Sequence, residues 1–226
     1  VDDESIGEIF MARKYKDWKG DGSFQFGGRT HHPYMSFSKA KRSRILINGK
    51  KTVGIDYPAS VANILYRHIT GRALVPDDPY RVNGIPRDIA KQFLNIMLNC
   101  EGRNAACQAI NKWLKNEANA EQQKSYAKAI SKLGSNAKIA DAIAARNQPI
   151  KHCFYRGKAL GQHYSWLEAN IVFEVAHYFT EYLDIPALTI HDEFIIPEEY
   201  AFGIEEYLYT VGLDDFIYHS LYVGRK

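Results

Sequence analysis

The segment 185–197, IPALTIHDEFIIP, constrains this chain more than any other. Two short apolar runs flank His191-Asp192-Glu193, a pattern that predicts a β-hairpin with the acids at or near the bend. An acid held between apolar strands costs several kcal/mol to bury unless a cation or hydrogen bonds compensate it. The hairpin therefore carries both a fold expectation, a small antiparallel sheet, and a chemical one.

A second acid stands in a comparable place. The run KTVGID, residues 51–56, reads as a short strand that ends on Asp56, just before Tyr57-Pro58. Two such acids from distant segments can jointly bind a pair of divalent ions roughly 3.5–4 Å apart. Hard oxygen ligands suit Mg²⁺, with Mn²⁺ as its substitute. The residues alone leave another reading open, in which Asp56 caps the helix that follows and Asp192 shapes a turn.

Helical segments surround these strands. Residues 59–68 read as a helix, and Pro76 and Pro79 separate it from the next segment. Pro86 fits the first position of a helix running to about Cys100, with Ile89, Phe93, Ile96 and Met97 on its apolar face. Arg87, Lys91 and Asn95 recur at fours on the opposite face. Two cations at that spacing form a clamp for phosphate, or a solvated basic face. Residues 104–146 predict two or three polar helices with a break at Gly134-Ser135, forming a partly exposed subdomain. Residues 167–183 repeat Leu167, Ile171, Val175 and Phe179 at fours, with Val172 and Ala176 alongside, and form a helix. A last helix is expected over 198–209, with acids in its first turn. Residues 1–28 read as an amphipathic opening followed by a glycine-rich turn, and 29–50 as basic and irregular.

Charge narrows the partners. The net charge is only +3, but Lys39, Lys41, Arg42, Arg44, Lys50 and Lys51 crowd one stretch beside Tyr34 and Phe37. Such a stretch either tracks a phosphate backbone or forms a solvated loop and edge strand. The three cysteines show no zinc-ligand spacing, which fits a reducing, cytoplasmic setting. No apolar run is long enough to cross a bilayer, and VDDESIGE at the start lacks the order of a signal peptide.

The order of these motifs resembles the family A DNA polymerases and the related single-subunit RNA polymerases. Gly28-Arg29, a basic loop and Asp56-Tyr57 are similar to the segment leading into motif A; Arg87-x-x-x-Lys91 resembles motif B; Ile190-His191-Asp192-Glu193 resembles motif C. The likeness runs from about Gly27 to Pro197. It implies that Asp56 and Asp192, with the Tyr57 carbonyl, bind two Mg²⁺ ions. Arg87, Lys91, Asn95 and Val61 would face the nucleoside triphosphate, and Lys91 would also protonate the leaving pyrophosphate as a general acid. Arg29, His191, Glu193 and Glu168 would meet the primer and template, with Asn170 beside Glu168. His191 and Arg29 have ordinary alternatives: a hydrogen-bonded interior histidine and a surface ion pair.

Three departures qualify the resemblance. Val61 stands where the DNA polymerases carry a glutamate that blocks a ribose 2′-hydroxyl. Asn95 and Asn99 stand where the family has aromatics, so the ring that stacks on the incoming base is missing unless Phe93 replaces it. Only 27 residues precede Gly28, too few for a full thumb, which implies a minimal polymerase, a fragment, or a chain that needs a protein partner to hold the duplex.

The resulting expectation is an α+β protein with a small antiparallel palm sheet covered by helices, a helical fingers-like subdomain and little or no thumb. Residues 1–226 form one polymerase-like domain, with 29–76 and 150–226 palm-like and 77–149 fingers-like. The expected activity is template-directed nucleotide transfer to the 3′-end of DNA, or of RNA in a primase or RNA polymerase variant. The alternatives are a non-catalytic or partner-dependent nucleic-acid-binding protein and, third, a metal-dependent nuclease.

Overall fold

The computed structural model describes residues 12–16, 22, 26–57, 59–71 and 77–202. The fold is α+β, and the chain divides into two compact units: Val1–Ser60 with Ser165–Lys226, and Val61–Tyr164.

In the first unit, β1 (Ala12–Lys16) pairs antiparallel with β2 (Phe26–His31) through a ladder whose register shifts between Arg13 and Tyr15. Gly28 makes this hairpin feasible. Its φ is +80°, and a Cβ there would lie 2.8 Å from the Tyr15 ring. The stretch expected to be irregular then forms a 3₁₀ turn, the short helix α1 (Lys39–Arg42) capped by Ser38, and β3 (Leu46–Ile47). β4 (Lys50–Asp56) follows β3 as an antiparallel neighbour.

The main sheet has the order β3-β4-β6-β5. β5 (Leu188–Ile190) and β6 (Glu193–Pro197) are the hairpin expected from 185–197, and β6 pairs antiparallel with β4. The register sets Gly54 opposite Ile195, Ile55 opposite Phe194 and Asp56 opposite Glu193. Since side chains alternate, Gly54, Asp56, Glu193 and Ile195 share one face, and Ile55 and Phe194 the other. Tyr34, Ile45, Ile190 and Ile195 form an apolar cluster on the first face. On the second, the Phe194 ring meets Phe179 edge-on at 5.6 Å.

Phe179 comes from α7 (Lys158–Glu181), which begins nine residues earlier than the periodicity suggested. Its residues from Ser165 onward belong to this unit, and Ile171, Val175 and Phe179 are buried. Beyond Pro197, a 3₁₀ turn over Glu198–Tyr200 is followed by helical geometry at 201–202; the rest of the expected 198–209 helix lies outside the described residues.

The second unit is helical: α2 (Ser60–Thr70, all but its first residue), α3 (Arg87–Asn99), α4 (Arg103–Asn116), α5 (Ala120–Leu133), α6 (Asn136–Arg146) and the start of α7. Pro86 sits immediately before α3, as its N-cap. Gly134 ends α5 at φ +87°, and Ser135 starts α6 by accepting the Lys138 N–H, so one dipeptide both stops and restarts the chain. α3 packs against α4, α5 and α6, burying Ile89, Phe93, Met97, Ile110, Ile139 and Ile143. Asn147, fully buried, ties the unit together. Its amide donates to the carbonyls of Pro79 and Ile143, and its oxygen accepts from the Tyr66 hydroxyl at 2.9 Å.

Candidate active site

The hairpin bend consists of His191 and Asp192, between the paired residues Ile190 and Glu193. His191 takes φ +55°, the left-handed opening that a two-residue turn between twisted strands requires. Asp56 closes β4 opposite Glu193, and the Tyr57 N–H donates to the Asp192 carbonyl at 3.1 Å. The two acids, far apart in sequence, therefore stand at the same end of the sheet, Asp56 at the end of β4 and Asp192 on the bend that leads into its neighbour β6.

A cleft of about 550 Å³ opens over this end of the sheet. Asp56, His191, Asp192 and Glu193 line it together with Lys39 and Arg42 from α1. Gly54 lets the Glu193 side chain lie across the strand, since a Cβ there would collide with its carboxylate. Glu193 also faces Arg42 at 3.6 Å, while Arg42 donates to the Phe37 carbonyl. The basic stretch is thus partly bound to the protein itself, with Lys50 paired to Glu199 at 2.6 Å and Lys41 over the Phe37 ring. Tyr34 is no surface aromatic. It is 1% exposed, its hydroxyl donates to the Thr189 carbonyl, and burial pushes its pKa up to about 12.

Behind Asp192 lies a polar chain. Ser60, the first residue of α2, places its hydroxyl 3.1 Å from Asp192 Oδ2 and against Glu168 Oε1. Arg29 clasps the other Glu168 oxygen through two guanidinium nitrogens. Glu168 is only 3% exposed. Burial raises its pKa, Arg29 opposes that rise, and the Asp192 charge adds to it. A single serine proton cannot satisfy two carboxylates, so both contacts are hydrogen bonds when Glu168 carries a proton of its own. His191 has its pKa lowered, first by partial desolvation and then by the Arg29 charge.

These contacts place the residues expected at the primer and template. Glu168 is an interior acid, and the cost of burying it is met by Arg29 and Ser60. Arg29 is bound to Glu168 while its side chain stays 40% exposed. Asn170 accepts a 2.7 Å hydrogen bond from Arg13. In the helical unit, Arg87 and Lys91 are both exposed on α3. Arg87 pairs with Asp78 at 2.6 Å and stacks over Tyr80. Phe93 is fully buried and cannot stand in for a base-stacking ring. Asn95 and Val61 are half-buried, and Asn99 donates to the Asn95 carbonyl.

Sequence reasoning missed Ser60 and Gly54, and it named Arg42 only as one cation of the basic stretch. Gly54 carried a readable signal, since a glycine inside a strand often marks a close approach. Among the described residues, no group of three or more His, Cys, Asp or Glu is arranged to hold a metal ion, and no helix is long and apolar enough to cross a membrane. Comparisons with family models, curated proteins and solved structures found no match.

Proposed function

We propose that this chain is a template-directed nucleotidyltransferase that extends a nucleic-acid 3′-end, with the sheet-bearing unit serving as a palm and the helical unit as fingers. One observation carries the reading: Asp56 and Asp192, from one end of adjacent strands, line a single cleft together with the cations Lys39 and Arg42.

The donor set fits Mg²⁺. That ion commonly binds through one or two carboxylates plus substrate phosphates rather than in a dedicated protein cage. Two acids without a third are therefore the expected form. Asp56, Asp192 and the Tyr57 carbonyl would hold it. When bound, a pair of such ions lowers the pKa of an attacking hydroxyl and offsets charge on the departing pyrophosphate. The remaining chemistry falls to the chain. Lys39 and Arg42 attract the phosphate-bearing strand into the cleft. The primer 3′-oxygen bonds to the α-phosphorus, the α–β phosphoanhydride bond breaks, and pyrophosphate leaves with its electron pair. Arg87 and Lys91 are proposed as triphosphate ligands on their chemistry, with Lys91 supplying a proton to pyrophosphate.

The test is extension of a labelled primer–template with Mg²⁺ or Mn²⁺, using dNTPs and NTPs in parallel. Incorporation by the wild type, abolished in folded D56N and D192N, is the expected result; full activity in either variant refutes the reading. A second reading, a nucleic-acid-binding protein that is non-catalytic or needs a partner, draws on the buried Phe93 and the absence of an aromatic at Asn95 and Asn99. Binding of primed template without extension under any nucleotide and metal mixture favours it.

A further inference from the structure

Asp192 sits on a two-residue bend, where a side chain has rotamers to choose from. The Ser60 hydroxyl limits that choice. It meets Asp192 Oδ2 at 3.1 Å from a residue that is itself only 5% exposed. Its own position is fixed twice. Ser60 opens α2 directly after Ala59, whose φ of +56° sets the entry of the chain. Its oxygen also abuts Glu168, an acid held in place by Arg29.

We propose that Ser60, anchored by the buried Glu168 and its partner Arg29, is a positioning residue that fixes the Asp192 carboxylate for divalent-ion binding. The inference rests on the nucleotidyltransferase reading for the use made of the ion. Arg29 lies on β2, Glu168 on α7 and Ser60 on α2, so side chains from three other elements form a chain that ends on the Asp192 carboxylate of the β5–β6 bend. Ser60 touches no reacting atom and acts through Asp192. Outer partners of this kind typically govern metal affinity by about 10–100-fold.

The test measures Mn²⁺ binding to the full chain, without primer or nucleotide, by the electron paramagnetic resonance of free Mn²⁺, with D192N setting the background. S60A should weaken the Asp192-dependent site by about 10–100-fold. S60T, which keeps a hydroxyl, should stay close to wild type. S60C, nearly the shape of serine but with a weak donor, should follow S60A and serves in its place if S60A does not fold. A folded S60A or S60C that binds Mn²⁺ within about twofold of wild type overturns the inference, as does a wild type with no site sensitive to D192N. Primer extension is read separately: Ser60-dependent Mn²⁺ binding without any extension would remove the polymerase reading and leave the positioning role standing.

Discussion

Replacing Arg29 with methionine should destabilise the protein at neutral pH far more than in mild acid. The substitution strips two guanidinium bonds from Glu168, which is 3% exposed. Breaking a buried ion pair from one side costs about 3–5 kcal/mol. The Arg29 side chain is 40% exposed, so solvent screens the interaction, and the expected loss at pH 8 is about 2–3 kcal/mol. The pH dependence follows from the direction of the Glu168 shift. Its folded pKa is raised above the unfolded value, so the native state binds more protons than the unfolded state between those two values. The associated stability is fully present below the unfolded pKa and is lost as pH rises through the folded one. Removing Arg29 deletes the largest opposing influence and moves the folded pKa further up. The gap between R29M and wild type should therefore be small near the unfolded carboxylate pKa and widen toward pH 8. For a chain of this length, the loss corresponds to roughly 4–12 °C in melting temperature at pH 8. Thermal melts of both proteins at pH 5 and pH 8, followed by circular dichroism, read it directly. A double variant, R29M with E168Q, should regain most of the loss because no buried charge remains. An equal shift at both pH values, or one below about 2 °C at pH 8, would refute the argument.

Three further outcomes are expected. N147A should lose about 3 kcal/mol, because it leaves the Tyr66 hydroxyl and the Pro79 carbonyl without their buried partner; urea denaturation measures it. G54A should barely change the melting temperature, since the new methyl meets only the flexible end of Glu193, yet it should lower primer extension by displacing that acid from the cleft; unchanged extension would exclude a role for Glu193 there. K91A and R87A should each raise the KM for nucleotide by about tenfold, with small stability changes because both side chains are exposed; an unchanged KM would remove α3 from nucleotide binding.

The elements with strong local signals were legible in the sequence. The 185–197 hairpin follows from two apolar runs around a polar bend, α3 from Pro86 and its apolar repeat, and the α5–α6 break from Gly134-Ser135. The β1–β2 hairpin was not. ARKYK is polar, Gly27 and Gly28 sit within its partner strand, and a register shift interrupts the pairing, so no clean alternation survives. In the candidate site, Asp56 and Asp192 were visible because acids at the ends of apolar strands stand out. The burial of Glu168 was not anticipated, although its position held the clue. It lies four residues before Val172 and seven before Val175, within the apolar side of α7, where an acid must find a cation or a proton. Ser60 gave no comparable signal, because a serine opening a helix is commonplace, and the basic run that contains Arg42 did not show that Arg42 meets Glu193; only the tertiary fold brings the two residues to the acids.

The sheet joins strands from opposite ends of the described chain, with the helical unit inserted between them. During synthesis, β3 and β4 can pair at once, but the other edge of β4 waits for β6, from Asp56 until Glu193 has been made. At about 5–20 residues per second, that interval is on the order of ten seconds. The helical unit, rich in local contacts, can form while β4 still has a free edge. Lys50 and Lys51, which open β4, place charge on that waiting strand and oppose its pairing with a neighbouring nascent chain.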